Sequence, residues 1–455
     1  MQTLIRFLAG VFTRFVKQFV PDSYIFCLVL TIVAMLGAVF IASKGVLEVV
    51  DMWGAGFWGI LTFSMQSSLA LIAGYALSTA PLFKRGLAYI ARLPNNHGQA
   101  IVLASLGSLG LWYFHWGVGC VATGILCVEI TRQAAKKGIK LHYPLLVAAS
   151  YMGTVVWHNG ISGASQLLVA TKGHFLEKSI GVIPVSDTIF APGNLMIAAY
   201  LFLVVPIVAY WMVPPEKECI PPTERVLKED ISAGLRSEVN AGKPGTIAYL
   251  LNSTPALSVL FALMGAVFLG FWFGKWNGAF DINIFIIIMT LVGILLHYNP
   301  MNYVRTLRSG VEAAIPIMLQ FQFYGGIMGI LVASGLATII ANWFVSMSTP
   351  LTYPIWTYIS AGIINMFIPS GGGQFTVQGP IMVEAASKLG VSYSRVITGI
   401  ANGDAWTNLI QPFWALPLLG FAGLGLRDIM GYCAVVLIFA FVGTAAILAF
   451  GAFPM

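Results

Sequence analysis

A glycine-rich polar stretch lies inside apolar sequence, and it limits what this chain can fold into more than any other feature. The stretch runs from Asn365 to Pro380 and reads NMFIPSGGGQFTVQGP, with apolar residues on both sides. In membrane hydrocarbon every backbone polar group needs a partner within the protein, so such a stretch is tolerated only where it is buried or lines a cavity. We therefore predict that it forms the tip of a re-entrant hairpin and half of a substrate site.

The rest of the chain has the composition of an α-helical membrane protein. Of its 455 residues, 58% are hydrophobic and only 9% are charged, whereas a soluble domain has about 25% charged residues. The net charge of +7 does not indicate a nucleic-acid partner, because the Lys and Arg residues lie in loops between apolar spans. The five cysteines show neither metal-binding spacing nor a disulfide framework. The composition thus predicts an all-α polytopic protein of the lipid bilayer.

Several segments have the length of a simple membrane-spanning helix, which needs ~20 apolar residues. These are 24–42, 57–80, 192–213, 254–273, 281–298, 314–334 and 429–451. Residues 1–20 differ, because a helix there would have its cations on one face and its apolar side chains on the other. That pattern predicts an interfacial amphipathic helix lying on the membrane.

Two charge-free runs, 98–128 and 351–383, are too long for a single span, and both predict re-entrant helical hairpins. The first hairpin occupies 98–130, has basic residues on both flanks and is interrupted at His115–Gly119. Basic flanks favour the cytoplasm, so this segment is predicted to enter and return from that side. The second occupies 351–390 and contains the glycine-rich stretch. Its second arm is predicted as Gly379–Leu389, roughly 16 Å of helix, with Pro380 in the first turn.

Two further segments predict transmembrane helices that are broken near their middle. Residues 142–171 are interrupted at Trp157–Ser165, and residues 393–422 are interrupted at Asn402–Pro412. Both interruptions are rich in polar and small residues. Breaks of this kind in helical segments mark binding sites in transporters, although glycine-rich breaks also occur where helices pack closely.

The order of span, hairpin and broken helix occurs twice, and the two copies have opposite orientations. The first repeat is predicted at 21–213 and the second at 274–455, with a cytoplasmic linker and a connecting helix at 214–273. Most Lys and Arg residues fall in the predicted cytoplasmic segments, which puts the N-terminus inside. One of these is a surface segment at 299–313, between the spans 281–298 and 314–334. Inverted repeats with broken helices are the architecture of secondary transporters.

Several strings of this sequence resemble the short-chain fatty acid transporter family, which includes carriers of acetoacetate and butyrate type. They are PSGGGQFTVQGP, the run from Gln411 to Cys433, DMWGAGFW and VPDSYIF. The resemblance covers almost the whole chain. It implies a cell inner-membrane carrier of the ion transporter superfamily, with a scaffold, a moving transport domain and a homodimeric assembly. His115 and His158–Asn159 depart from the family, whose corresponding tips are richer in Asn and Gly.

The substrate predicted from this resemblance is a small monocarboxylate, such as butyrate or acetoacetate. No Lys or Arg lies in the four interruptions, so the carboxylate must be bound by hydroxyls, amides and N–H groups at helix N-termini. Each terminus carries roughly half a positive charge. The candidate substrate-binding residues are Ser162, Ser165, Ser370, Gly371, Gly372, Gly373, Gln374, Asn408, Gln411, Trp116, His158 and Asn159.

Ion coupling is predicted at Asp404, the only formal charge in the interruption Asn402–Pro412. An acidic residue at membrane depth is costly and is a functional candidate by default. Asp404 could bind Na⁺ together with carbonyls of unwound backbone at 157–163 and 401–408, carry a proton, or be a structural carboxylate. Asn402 and His115 complete the candidate ion-coupling set, and His115 or His158 could titrate or serve as a structural hydrogen-bonding residue.

The architecture and the resemblance together predict a cation-coupled secondary active transporter of short-chain fatty acids, a symporter and not an enzyme. No resident cofactor or metal is predicted, and Na⁺ is a possible coupling ion. The run Gly371–Gly373 is not a phosphate-binding loop, because no Lys-Ser or Lys-Thr follows it. The alternatives are a passive anion channel lined by the two hairpins and a carrier of a different small organic anion.

Overall fold

The computed structural model describes residues 23–228, 245–411 and 413–454, which form helices and connecting turns with no strand among them. The predicted interfacial helix at 1–20 lies outside the described residues, and so does the stretch 229–244 of the predicted cytoplasmic linker. The described part of the chain is that of an all-helical protein.

The first half of the chain contains both long apolar helices and short ones. In chain order they are α1 (Ser23–Phe40), α2 (Val46–Phe57), α3 (Leu61–Thr79), α4 (Pro81–Ile90), α5 (His97–Phe114), α6 (Trp116–Lys136), α7 (Tyr143–Met152), α8 (Ala164–Val169), α9 (Glu177–Ile180), α10 (Pro192–Trp211) and α11 (Glu224–Lys228). A 3₁₀ helix, Gly153–Asn159, joins α7 to the turn before α8.

The helices of the second half follow the same pattern. They are α12 (Ile247–Ser253), α13 (Pro255–Gly274), α14 (Ile282–Leu296), α15 (Pro300–Ala333), α16 (Leu336–Met347), α17 (Tyr353–Asn365), α18 (Gly371–Leu389), α19 (Tyr393–Thr407), α20 (Leu416–Ala422) and α21 (Leu426–Phe450). A 3₁₀ helix, Phe413–Ala415, precedes α20.

Several of these helices are suited to a membrane. Among the described residues, α6, α10, α13, α15 and α21 are each long and apolar enough to cross one, and α2 with α3 meets the same test as a pair bent by 44°. The shorter helices α1 and α14 occupy the predicted spans 24–42 and 281–298. The protein is therefore a multi-pass membrane protein.

The longest helix, α15, extends further than the predicted span 314–334. It is one helix of 34 residues that begins at Pro300, so the expectation of a separate surface segment at 299–313 is wrong. The side chain of Asn299 accepts a hydrogen bond from the backbone N of Asn302 (2.9 Å) and caps the helix. Pro300 is the first residue of the helix, a position at which a missing backbone N–H loses no hydrogen bond. At 1.5 Å per residue α15 is about 51 Å long, which exceeds the ~30 Å hydrocarbon core.

The first predicted hairpin corresponds to α5 and α6. These helices pack against each other, and the chain reverses at His115, the one extended residue between them. The His115 Nδ1 accepts a hydrogen bond from the backbone N of Gly117 (2.9 Å), which caps α6. The turn thus lies at the start of the predicted interruption His115–Gly119. That both helices enter a membrane from one face stays a prediction.

The second predicted hairpin corresponds to α17 and α18, and its second arm is longer than expected. The prediction that this arm starts at Gly379 is wrong, because α18 begins at Gly371 and contains Pro380 in its interior. The Ser370 hydroxyl accepts a hydrogen bond from the backbone N of Gly373 (3.4 Å) and caps the helix. Close packing of the three glycines outweighs their low helix propensity, and α18 is about 28 Å long.

Both predicted broken helices are interrupted, but the second break starts later than expected. The first leaves α geometry at Gly153 and resumes at Ala164. In the second, α19 continues to Thr407, so the predicted start of the break at Asn402 is wrong. The Asn402 amide donates to the carbonyl of Thr398 within α19 (2.9 Å). Most of the carbonyls expected to be unwound at 401–408 therefore belong to a helix.

One glycine of the first break is held against backbone, and its substitution tests this packing. A Cβ on Gly160 would lie 1.9 Å from the carbonyl oxygen of Tyr113, which already accepts a hydrogen bond from Ile161 (3.0 Å). This hydrogen bond holds the backbone of Tyr113 against the backbone next to Gly160, so neither segment can move away by itself. We therefore expect Gly160→Ala to lower the free energy of unfolding by at least the ~1–3 kcal/mol typical of overpacking. Thermal unfolding in detergent at one fixed scan rate should show a clearly lowered midpoint.

The matched control is Gly110→Ala in α5, where an added Cβ meets nothing within 4 Å. Alanine is the better helix former, so this variant should keep or slightly raise the midpoint. Equal midpoints for the two variants would contradict the close approach at Gly160.

Candidate functional site

A buried hydrogen-bonded pair, His158 and Asp404, lies between the two broken segments. The Nε2 of His158, in the 3₁₀ helix after α7, is 2.9 Å from Oδ1 of Asp404 in α19, and both side chains are 0% exposed. The Nδ2 of Asn408 donates to the same oxygen (3.2 Å). Because Oδ1 accepts from Asn408, we assign it as the acceptor of an Nε2–H of His158 as well. A buried carboxylate is stable only with partners of this kind.

The pair has atoms that the described residues leave without a hydrogen-bond partner. They include Oδ2 of Asp404 and Nδ1 of His158. Other buried atoms in the same state are Oε1 of Gln166, Oδ1 of Asn159, Oδ1 of Asn365 and Nε1 of Trp157. Buried polar groups are nearly always satisfied in folded proteins, so such a set around one buried pair indicates a place for a ligand.

The N-terminus of α18 lies directly against the imidazole. A Cβ on Gly371 would be 2.2 Å from Cε1 and 2.3 Å from Nε2 of His158, so only glycine fits here. Among the described residues, the N–H groups of Gly371 and Gly372 have no acceptor. The helix end carries partial positive charge, and a carboxylate beside His158 would meet these free N–H groups.

Three tryptophans form an aromatic wall beside the pair. Trp157 stacks on the adjacent His158 ring (centroids 4.4 Å apart) and on Trp116 (5.4 Å). Trp414 meets both indoles edge-on, at 5.7 Å from Trp116 and 5.0 Å from Trp157. Its Nε1 donates to the carbonyl of Pro369 (2.7 Å) in the turn before α18. The wall therefore joins both turns to both broken segments.

Hydrogen bonds fix the first broken segment around His158. The Ser162 hydroxyl accepts from the backbone N of Trp116 (3.0 Å), and Nε2 of Gln166 donates to the carbonyl of His158 (2.8 Å). The Nδ2 of Asn159 donates to Oδ1 of Asn194 (2.8 Å), which ties the segment to α10. These bonds hold the segment in its non-α conformation.

A second network fixes Asp404 from the other side. The Nδ2 of Asn365 lies 2.8 Å from the carbonyl of Asp404 and 2.9 Å from both Oγ1 of Thr407 and Oδ1 of Asn408. The hydroxyl of Tyr151, on α7, donates to the carbonyl of Asn408 (2.6 Å). Hydrogen bonds therefore connect the end of α17 to α19 at the level of the His158–Asp404 pair.

The structure brings some of the predicted site residues together. Asp404, His158, Asn408 and Gly371 meet at the pair, and the Ser165 hydroxyl donates to the carbonyl of Gly371 (3.4 Å). The remaining ones near this point are Ser370, which caps α18, Gly372, Trp116, Ser162 and Asn159.

Other predicted site residues are engaged elsewhere. His115 packs on Phe285 of α14 (ring centroids 5.0 Å apart), Gln374 donates to the carbonyl of Ala361 (2.9 Å), and Oε1 of Gln411 accepts from the backbone N of Phe413 (2.8 Å). A Cβ on Gly373 would point at the ring of Tyr324 in α15, and Asn402 bonds within its own helix. Among the described residues, no group of three or more His, Cys, Asp or Glu side chains could hold a metal ion.

Several residues of the site were missed in the sequence. They are Trp157, Trp414, Tyr151, Asn365, Gln166, Asn194 and Thr407. Asn365 is the first residue of the glycine-rich stretch, and Trp157 is the first residue of the interruption Trp157–Ser165. A polar or amphipathic side chain at the edge of such a break could have indicated a role in the site. Tyr151 and Asn194 lie in apolar helices with nothing in the sequence to mark them.

Comparisons with known proteins agree with this architecture. A sequence profile described as Short chain fatty acid transporter matches residues 4–451. A relative from Escherichia coli (strain K12), named as a short-chain fatty acid transporter, is 33% identical over 428 residues, which cover 94% of this chain and 96% of the relative. One from Haemophilus influenzae with the same name is 34% identical over 435 residues, covering 94% and 95%.

The fold resembles a solved structure as well. The crystal structure of the Alcanivorax borkumensis YdaH transporter superposes with a TM-score of 0.61 at 12% identity, covering 94% of this chain and 98% of that one. This likeness concerns the fold alone. The family profile and the curated relatives span nearly the whole chain, and they describe transporters and not enzymes. The chain therefore belongs to the short-chain fatty acid transporter family.

Proposed function

We propose that this protein is a secondary active transporter of short-chain fatty acids, small monocarboxylates such as butyrate or acetoacetate, and that a cation gradient drives it. The observation that carries the proposal is the buried pair of His158 and Asp404 at the N-terminus of α18, between two broken helices. A membrane-buried imidazole–carboxylate pair beside unpartnered N–H groups suits a carrier that binds a small anion.

The site offers both parts that a short fatty acid needs. Its carboxylate would be bound by the N–H groups of Gly371 and Gly372 and by the imidazole of His158. Its short apolar chain would lie along the tryptophan wall, where Trp116 and Trp157 stack. The wall is buried, so a bound acyl chain would be removed from water together with its carboxylate.

The proposed movement carries this site past a scaffold. We propose that α1, α3, α14 and the second half of α15 form the scaffold, and that the helices bearing the site move against them. Two features support this. Gly372 and Gly373 contact the scaffold through the rings of Phe63, Phe321 and Tyr324. A cavity of about 790 Å³ separates α2 and α15 from α18 and offers room for displacement.

The assembly and the coupling ion are part of the same proposal. We propose a homodimer in the cell inner membrane with a cytoplasmic N-terminus, coupled to Na⁺ or to protons. The family resemblance supports the dimer and the location, and the distribution of Lys and Arg supports the orientation. Helix α13, which buries only Ser258 and Ala262, offers an apolar face to lipid or to a second copy.

Counterflow in reconstituted vesicles tests the transport function. Vesicles loaded with unlabelled butyrate should transiently accumulate labelled butyrate above its equilibrium level, with saturation at rising external concentration. Protein-free vesicles measure the leak of the neutral acid through lipid. Unlabelled acetoacetate should compete and succinate should not.

Two outcomes would contradict the proposal. Equilibration without an overshoot would indicate a passive channel, because a channel cannot exchange one bound anion for another. Equal competition by succinate would indicate a carrier of a different organic anion.

A further inference from the structure

We propose that the coupling cation is a proton, and that His158 holds it between Asp404 and the carboxylate of the substrate. This inference rests on the proposed function and identifies its coupling ion. One juxtaposition carries it: the imidazole is bonded through Nε2 to a buried carboxylate at 2.9 Å, its Nδ1 has no partner in the described part of the chain, and its Cε1–Nε2 edge faces Gly371, the first residue of α18.

The balance of charge in the buried site couples the proton to the substrate. Without substrate, Asp404 is ionised and accepts a hydrogen bond from Nε2–H of a neutral His158, so the site carries one negative charge. The substrate arrives as an anion, since small carboxylic acids are ionised at neutral pH. If a proton binds at Nδ1 at the same time, the imidazolium donates from Nε2 to Asp404 and from Nδ1 to the substrate. The site again carries one negative charge.

Binding of the anion alone is strongly disfavoured. It would leave two carboxylates on either side of a neutral imidazole in a fully buried site, and burial of an unpaired charge is costly. Release of the substrate anion and the proton on the other side restores the first state, with no bond made or broken other than N–H. One monocarboxylate is therefore carried with one proton, and the cycle moves no net charge.

The bonding of Asp404 favours a proton over Na⁺. Oδ1 of Asp404 already accepts hydrogen bonds from Nε2 of His158 and Nδ2 of Asn408, whereas Oδ2 has no partner within the described ranges. A metal cation needs several oxygen ligands besides Oδ2, and most backbone carbonyls at 401–408 belong to α19. Titration of the neighbouring imidazole adds the charge without changing these contacts.

Among the described residues, no other charged side chain on the packed helices is near enough to supply this charge. The elements packed against the pair are α5 to α8, α10, α17, α18 and α21, and their described charged residues lie towards the helix ends. Arg395 is about 13 Å before Asp404 along α19, and Glu384 and Lys388 stand in the last two turns of α18. The others are Glu129, Arg132 and Lys136 in α6, and Arg427 and Asp428 at the start of α21.

The nearby titratable groups that carry no charge are engaged in other hydrogen bonds or ring contacts. Tyr151 donates to the carbonyl of Asn408 (2.6 Å), Tyr113 packs on Phe202 (ring centroids 5.8 Å apart), and Nδ1 of His115 caps α6. His158 is thus the imidazole in contact with both Asp404 and the end of α18.

Proton uptake on substrate binding tests the inference on the unmodified protein. Purified full-length protein in weakly buffered, Na⁺-free detergent solution with a pH-sensitive dye is mixed with butyrate adjusted to the same pH. We expect roughly one proton to be taken up per butyrate bound, and the Kd for butyrate to rise about tenfold per pH unit between pH 7 and 9. Binding without proton uptake, strengthened by Na⁺, would overturn the inference and leave the proposed function standing.

The His158→Gln variant assigns the proton to this residue. Glutamine can still donate to Asp404 but cannot take up a proton, so proton uptake should disappear and the pH dependence of Kd should flatten. His174→Gln is the matched control, because His174 bonds to the carbonyl of Gly181 (2.9 Å) outside the site, and its proton uptake should equal that of the wild type. Full proton uptake by folded His158→Gln would overturn the assignment.

A spectroscopic measurement covers the case in which His158→Gln fails to fold. Infrared difference spectra of wild-type protein with ring-¹⁵N histidine should show an imidazolium band that appears on addition of butyrate. A spectrum without this band, or with bound butyrate as the protonated acid, would overturn the bridging arrangement. Absence of both butyrate binding and counterflow would instead refute the proposed function, and the inference with it.

Discussion

Asp404→Asn is expected to lower cation-driven accumulation of butyrate in proteoliposomes by about 100-fold or more. In the substrate-bound state the variant lacks one partner of a buried ion pair, which costs about 3–5 kcal/mol, and each ~1.4 kcal/mol changes an equilibrium tenfold. Asparagine has the shape of aspartate and can bond to His158 and Asn408, so the fold should persist. What the variant loses is the fixed negative charge that stabilises a protonated His158. The measurement is the initial accumulation of labelled butyrate under an inward proton gradient, after subtraction of the accumulation in protein-free vesicles.

The control for Asp404→Asn is the same chemical change at an exposed acid. Asp428 lies at the start of α21, where Oδ2 accepts a hydrogen bond from the backbone N of Gly425 (2.8 Å), and asparagine can cap that turn equally well. Asp428→Asn should accumulate butyrate like the wild type. Normal accumulation by Asp404→Asn, in protein of normal thermal midpoint, would remove Asp404 from the mechanism.

A double variant shows whether the two side chains act as one unit. If they do, Asp404→Asn combined with His158→Gln should lose no more accumulation than the worse of the single variants. Additive losses would instead mean that each residue contributes separately.

The simple spans were predictable because length, apolar content and start signals coincide in them. The predicted span 192–213 appears as Pro192–Trp211, and the predicted span 254–273 as Pro255–Gly274. A proline at each start and a single uninterrupted apolar run leave few alternatives. For α15 the same reasoning failed, because charged residues at 299–313 suggested a surface loop whereas the capped helix continues through them.

The glycines at 371–373 show where local propensity misleads. Three glycines are poor helix formers, yet they open α18, because a side chain at each position would collide with His158, Phe63 or Tyr324. From the sequence these three glycines were recognised as unusual, but they were predicted to lie in the turn of the hairpin. The rings that require glycine there belong to distant parts of the chain, which no local pattern contains.

The pairing of the two most important residues was also beyond the sequence. Asp404 and His158 were each singled out, because a charge or an imidazole at membrane depth is costly. His115 had equal standing with His158 on that argument. Only the tertiary fold separates them, by setting His158 at 2.9 Å from Asp404 and packing His115 on Phe285.

Gly371→Ala is expected to weaken butyrate binding by up to roughly 100-fold. The new methyl would lie 2.2 Å from Cε1 of His158, and α18 cannot retreat easily because Gly372 and Gly373 already contact rings of the proposed scaffold. The imidazole must therefore move away from Asp404, and overpacking of this kind costs about 1–3 kcal/mol. Equilibrium binding of labelled butyrate to purified protein measures the change in Kd.

The reason for the loss is tested by removing the ring that the methyl meets. His158→Ser alone should bind weakly, but adding Gly371→Ala to it should change the Kd little, because the serine side chain leaves room for the methyl. Gly420→Ala, in α20 where a Cβ meets nothing within 4 Å, is the control for added helix propensity and should bind like the wild type. An unchanged Kd in Gly371→Ala would mean that the imidazole can leave this position without loss of binding, and a site built on contact between His158 and the N-terminus of α18 would then be excluded.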